Sequence, residues 1–179
     1  MSKFLAYSFL YDDAADLKCD FELLSDEIAS MIGFLRSLLN EKDTAADKNL
    51  AGDLSRINEL MYHINPSLRT KVMVSAEELA WLHEKTMRLQ KAVEDGLPKG
   101  GGFTFFIPEG CTQAAYSHVI RCKCKSLVRL LSRCRQQGNH VDEILFDFTN
   151  LYAGYFYSLA LWLNKIHGVE ECRFTSRVY

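Results

Sequence analysis

The sequence predicts an all-α fold, a five-helix bundle in a single domain. Three observations carry this reading. Apolar residues recur at spacings of three and four in five separate stretches, short turn signals separate those stretches, and no two segments alternate as paired strands would. The 179 residues match one domain and suffice to bury a sizeable core. Within 1–179 the expected organisation is an irregular segment at 1–19, the bundle at 20–168 and a tail at 169–179.

Each element follows from its residues. Asp12, Asp13 and Asp16 make an acidic turn in the irregular start. From Phe21 a helix carries Leu24, Ile28, Ile32 and Leu35 on one stripe, and residues 40–44 break the pattern. A second helix, from about Ala45 to Ile64, turns Leu50, Leu54, Ile57, Met61 and Ile64 inward. Asn65-Pro66 ends it, because the residue before proline resists helical geometry. Ser75, followed by Glu77 and Glu78, is a helix start with a serine cap and acids in the first turn. That helix carries Leu79, Leu82, Met87 and Leu89 and ends near Gly96-Leu97-Pro98. After Gly100, Gly101 and Gly102 comes an apolar segment, Phe103 to Ile107, then a turn at Pro108-Glu109-Gly110. The fourth helix starts at Thr112 or Gln113 and reaches Arg135. Gln137-Gly138-Asn139 turns the chain into a fifth, Val141 to Ile166. Phe146, Phe148, Tyr152, Tyr155, Phe156, Tyr157 and Trp162 load this last helix with aromatics, read as core or subunit interface. It is too apolar to have one covered face only, which predicts oligomerisation.

Composition narrows the function. A net charge of −2 with 48% apolar and 12% aromatic residues excludes a disordered chain and gives no global field for nucleic acid or an anionic membrane. No stretch reaches membrane-spanning length, and the start lacks a secretory pattern. Six cysteines show no paired CxxC arrangement, and Cys122 and Cys124 fall on different helix faces. Free thiols in a reducing cytoplasm are expected.

Positive charge is local. On the fourth helix His118, Arg121, Lys125 and Arg129 recur at spacings of three and four and share one stripe. Such neighbours repel unless an anion or an acidic partner lies against them. The stripe is either a solvated basic face or one wall of an anion site.

The segments FFIPEG, AAYSHVIR and FTNLYAGYFYSLALWLN resemble the PduO-type ATP:cob(I)alamin adenosyltransferases. That family carries FxLPGG, then a histidine, an arginine three residues later, RRAER, and an NRLSD-like element on its last helix. Phe105, Pro108 and Gly110 match the first element, His118 and Arg121 the next, Lys125 and Arg129 two basic positions, and Asn150 the asparagine. SDEIASMIG resembles the family's DELNSxIG and carries over Asp26, Glu27, Ser30 and Gly33. The resemblance spans about residues 20–168 in order and register.

The resemblance implies a ferritin-like, adenosyltransferase-like bundle assembled as a homotrimer with sites between subunits. The implied reaction moves the 5′-deoxyadenosyl group of ATP onto cob(I)alamin and releases triphosphate, with Mg2+ sharing the phosphate charge. Arg121, Lys125 and Arg129 would meet the phosphates and Asp26 would pair with Arg121. Asn150 would bond the nucleotide. Phe105 would lie under the corrin and His118 beside it. A corrinoid reductase or an adenosylcobalamin-dependent enzyme is the implied partner. Other readings of the same residues stay open: Phe105 as core, His118 as a structural histidine, Asp26 as a first-turn helix charge. Asn150, in an aromatic helix, is read as a buried amide that must find partners.

The chain departs from the family in named places. Nothing in 1–24 matches its TGDxGxT-like phosphate loop. Lys125-Ser126-Leu127-Val128-Arg129 stands for RRAER, Asn150-Leu151-Tyr152-Ala153-Gly154 for NRLSD, and Glu109 for a glycine. Two functions are therefore carried: a corrinoid adenosyltransferase, and an adenosyltransferase-like module that binds corrinoid or nucleotide without reaction. A helical interaction protein with no ligand is a third.

Overall fold

Six α-helices make up most of the computed structural model, which describes residues 3–4, 8–94 and 105–178. Helix α1 (Leu17–Ser37) begins four residues before the expected Phe21, because Asp16 accepts a bond from the Lys18 amide and caps it. The acidic turn is thus partly a helix start, and the 1–19 segment is not irregular throughout.

A short helix, α2 (Glu41–Ala46), occupies the expected break at 40–44. Asn40 and Asp43 form a capping box: Asn40 Oδ1 accepts from the amides of Lys42 and Asp43, and Asp43 Oδ2 accepts from the Asn40 amide at 2.9 Å. Helix α3 (Leu50–Ile64) then runs into a 3₁₀ turn, Asn65–Leu68, with Pro66 near its start. Proline's fixed φ suits the first turn of a helix, so the chain tightens there rather than stopping. Helix α4 (Ala76–Glu94) starts at the Ser75 cap, where Ser75 and Glu78 exchange reciprocal bonds. Gly96-Leu97-Pro98, the glycine run and Phe103 lie outside the described residues.

Helices α5 (Thr112–Gln136) and α6 (Glu143–His167) are the two longest. Asp142 caps α6 at its start, and Gly168, at φ +70°, ends it in the left-handed region. The five long helices are those the sequence predicts; α2 is the addition.

Neighbours run in the order α3, α1, α5, α6, α4. Side chains close the circuit from α4 to α3: Lys85 pairs with Asp53 at 3.0 Å, and Arg56 lies over the Trp81 ring at 4.2 Å. Helix α6 therefore has α5 on one side and α4 on the other, with the Tyr152 hydroxyl donating to Ile57 O of α3 across the core at 2.8 Å. Phe148, Tyr152, Tyr155 and Phe156 are wholly buried within this one chain. Its own bundle covers α6, so the aromatics give no ground for oligomerisation. The exposed large apolar residues lie elsewhere, among them Leu23 and Phe34 of α1 and Val119 of α5.

Candidate functional site

Helix α5 sets out the candidate chemistry, but its stripe changes character along its length. Near the start the stripe is covered by α6; further on it opens to solvent beside α1. His118 is 3% exposed and faces Tyr157 of α6, with ring centroids 6.1 Å apart. Neither ring nitrogen has a hydrogen-bond partner among the described residues. Burial, and secondarily the Arg121 charge, lowers its pKa to about 4, so the ring is neutral at pH 7. Arg121 is half-buried, with its guanidinium 5.2 Å from the centre of the same Tyr157 ring. His118 and Arg121 thus meet at one tyrosine that the sequence reading did not single out.

Lys125 and Arg129 are exposed and line a groove of about 560 Å3 with Ser126 and Arg133 of α5 and Asp20 and Leu24 of α1. Arg121, Lys125, Arg129 and Arg133 form no ion pair among the described residues, whereas Lys123 pairs with Glu27 at 2.6 Å and Arg135 with Glu143 at 2.8 Å. Cations on one stripe stay unpaired while those beside it are matched. Arg133 was legible, since it continues the four-residue spacing from Arg129.

Asp26 lies on the other side of α1. Its carboxylate accepts from the Tyr62 hydroxyl of α3 at 3.0 Å, in a cleft of about 390 Å3 lined also by Leu10, Glu22, Leu23 and Asn65. Within the chain Asp26 and Arg121 are not paired; α1 itself stands between the cleft and α5. The described part of the 1–19 segment is anchored next to this cleft. Arg69 bonds Asp12 and Glu22, each at 2.7 Å, and stacks on the Phe9 ring at 3.8 Å.

Asn150 is not the buried amide the sequence suggested. It is exposed, and its Nδ2 donates to Phe146 O one turn back at 3.0 Å. The buried amide of α6 is Asn164, 1% exposed, at the end of the apolar run LALWLN. Its Oδ1 accepts from the Cys111 amide at 3.0 Å; its Nδ2 donates to Glu109 O at 3.0 Å and to Glu171 Oε1 at 2.9 Å. An amide that closes an apolar run must find partners, and that signal pointed to Asn164 better than to Asn150.

Phe105 is 61% exposed, which excludes the core reading. Its backbone is held by the tail: Phe174 N donates to Phe105 O and Ile107 N to Cys172 O, each at 2.8 Å, around an antiparallel bridge between Phe106 and Arg173. Alternation along this short extended stretch sends Phe106 toward the core and leaves Phe105 outward. Gly110, at φ +134°, lies against Asn164, and a Cβ there would collide with the amide.

All six cysteines are free thiols. Among the described residues no three histidine, cysteine or carboxylate groups converge to hold a metal ion, and no helix is long and apolar enough to cross a membrane.

The family model described as cobalamin adenosyltransferase matches residues 24–163. Three solved structures of variant PduO-type ATP:corrinoid adenosyltransferases from Lactobacillus reuteri are similar in fold. A phenylalanine-to-alanine variant complexed with cobalamin and ATP superposes with a TM-score of 0.77 at 19% identity, over 90% of this chain and 87% of that one. A phenylalanine-to-histidine variant, also with cobalamin and ATP, gives 0.74 at 19% identity, over 90% and 84%. An arginine-to-lysine variant complexed with ATP gives 0.76 at 21% identity, over 89% and 88%. No curated protein sequence matches.

Proposed function

The chain belongs to the cobalamin adenosyltransferase family, and from that premise we propose that it transfers the 5′-deoxyadenosyl group of ATP to the cobalt of a reduced corrinoid. Cobalt(I) is the nucleophile and supplies the electron pair of the new cobalt–carbon bond. The bond from C5′ to the triphosphate oxygen breaks, and triphosphate leaves with its electrons. The protein needs no nucleophile of its own; it must orient the two substrates and stabilise the leaving charge.

The observation that carries this reading is the unpaired basic ladder. Lys125, Arg129 and Arg133 line one groove, with Arg121 one turn back, and none has a carboxylate partner among the described residues. Cations kept free on one stripe, beside others that are matched, fit a polyanion such as triphosphate. Neutral His118 adds shape and no charge near Arg121. Exposed Phe105 is assigned the lower face of the corrin, where it would exclude an axial base and ease reduction of the metal. Asn150, exposed on α6, is assigned to the nucleotide.

Asp26 is assigned to Arg121 of a neighbouring copy. The cleft presents the Asp26 carboxylate, Glu22 being matched by Arg69, while the α5 ladder is basic, and they lie on different sides of one chain. A head-to-tail contact between such surfaces generates a ring, here taken as a homotrimer with its sites between subunits. Magnesium is assigned to the triphosphate. A corrinoid reductase as supplier, an adenosylcobalamin-dependent enzyme as consumer, and a cytoplasmic location complete the reading.

Calorimetry with ATP and with cob(II)alamin, separately, tests both halves of the site. Arg121→Ala and Lys125→Ala are each expected to weaken ATP binding roughly ten- to a hundredfold, the loss of one charge-assisted contact, with cob(II)alamin binding retained. Unchanged ATP affinity in both variants would make the ladder a solvated face. Binding of both ligands with no adenosylated product under a chemical reductant would establish the non-reacting module instead. The loss of the arginine and glutamate at Ser126 and Val128 favours that second reading.

A further inference from the structure

A closed circuit of contacts surrounds the segment that carries Phe105, and one amide completes it. From Asn164 Nδ2 the path goes to Glu109 O, back along the segment to Ile107 and Phe105, across the two backbone bonds to Phe174 and Cys172, and along the tail to Glu171, whose Oε1 returns to the same Nδ2. Asn164 Oδ1 meanwhile accepts from the Cys111 amide at the start of α5. Both amide hydrogens and the oxygen are in use, and Gly110 leaves no room for a side chain between them.

A capping role alone does not need this arrangement. Helix α5 receives no side-chain bond from its own N-cap residue, Cys111. A serine or aspartate at that position would satisfy local amides without a partner on another helix. Asn164 does not take that part: it binds the N–H of Cys111 itself, 53 positions away, and also reaches the tail. Glu171 is held there at a cost, because its Oε2 is buried with no partner among the described residues. Burial raises its pKa, against the Asn164 bond, and the Glu109 charge raises it further.

We propose that Asn164 is a positioning residue for adenosyl transfer, clamping Phe105 against the lower face of the corrin through Glu109 on one side and Glu171 on the other. The inference rests on the reading that Phe105 lies under the corrin. An exposed ring can keep an axial base off cobalt only if the backbone behind it does not retreat. The clamp supplies that resistance from the buried end of α6, and displacements near 1 Å at a reacting centre can cost about a hundredfold in rate.

The full chain is compared with Asn164→Ala, Glu171→Ala, Phe105→Ala and the doubles of the first two with the third. Three quantities are read: ATP affinity by calorimetry without corrinoid, the visible spectrum of cob(II)alamin bound with ATP, and kcat under a chemical reductant. Phe105→Ala is expected to move the spectrum toward the base-ligated form. Asn164→Ala and Glu171→Ala should move it the same way and lower kcat by about tenfold or more, with ATP affinity within about twofold of the parent. Each double should be no worse than Phe105→Ala alone, since residues acting through one group are not additive. Asn164 is almost wholly buried, so if its variant fails to fold, Glu171→Ala decides. A parental spectrum in the folded variants, or losses that add to that of Phe105→Ala, overturns the inference. If Phe105→Ala itself leaves the spectrum and kcat unchanged, the corrin reading of Phe105 fails and the clamp falls with it. That outcome differs from the one in which Phe105 matters and the clamp does not.

Discussion

His118 illustrates what one buried ring does to the molecule's response to pH. Burial, and after it the Arg121 cation, favours the neutral form and lowers its pKa from 6.5 to about 4. Between those values the unfolded chain binds the proton more readily than the folded one. The associated stability is complete above pH 6.5 and is lost as the pH falls toward 4. The loss is on the order of 3 kcal/mol. A melting series from pH 7 to 4 should therefore show a steeper decline in the parent than in His118→Leu, and parallel declines would mean that the folded bundle does not lower the His118 pKa. The spacing of His118 and Arg121 could be read from the sequence, since it depends only on helical geometry. Burial could not, because it is set by Tyr157 arriving from another helix. Asn150 and Asn164 teach the same point. Both are amides on α6; the apolar run LALWLN marks the second as the one to be buried, but its partners appear only when the 105–111 segment packs against the end of the helix.

At the scale of elements, the sequence located all five long helices, because each stripe of apolar residues has to face the same core. It missed α2, whose six residues carry no stripe; a capping box at Asn40 and Asp43 forms it. Asp43 then does more than cap. Wholly buried, it accepts from Gln113 Nε2 of α5 at 3.1 Å and contacts His167 Nε2 of α6 at 2.6 Å, tying three helices at one carboxylate. Removing one partner of such a group leaves the others without an acceptor, which costs about 3–5 kcal/mol. Asp43→Ala should lower the melting temperature by about 10 °C, and Asp43→Asn, which keeps an acceptor, by less. A fall of under about 3 °C for the alanine variant would show that α2 is not pinned this way. Long-range ties of this kind have no periodicity and are invisible until the helices are placed.

For the molecule as a whole, the sequence argued for assembly from the apolar α6, and α6 proved to be the interior of a single chain. The proposed trimer would use different surfaces: the cleft at Asp26, the basic ladder of α5 and exposed Leu23, Phe34 and Val119. Sedimentation at micromolar concentration is expected to give a trimer. Asp26→Arg should dissociate it, and adding Arg121→Asp should restore it; a monomeric parent would remove the intersubunit site. The central place of α6 has another outcome. Tyr152 and Tyr155 are wholly buried on it, and burial holds both phenols far above the usual tyrosine range. Base reaches them only when the bundle opens, whereas a surface phenol ionises on its own. The ultraviolet band of phenolate in these two rings is thus an internal gauge of core integrity, silent for as long as α6 stays enclosed.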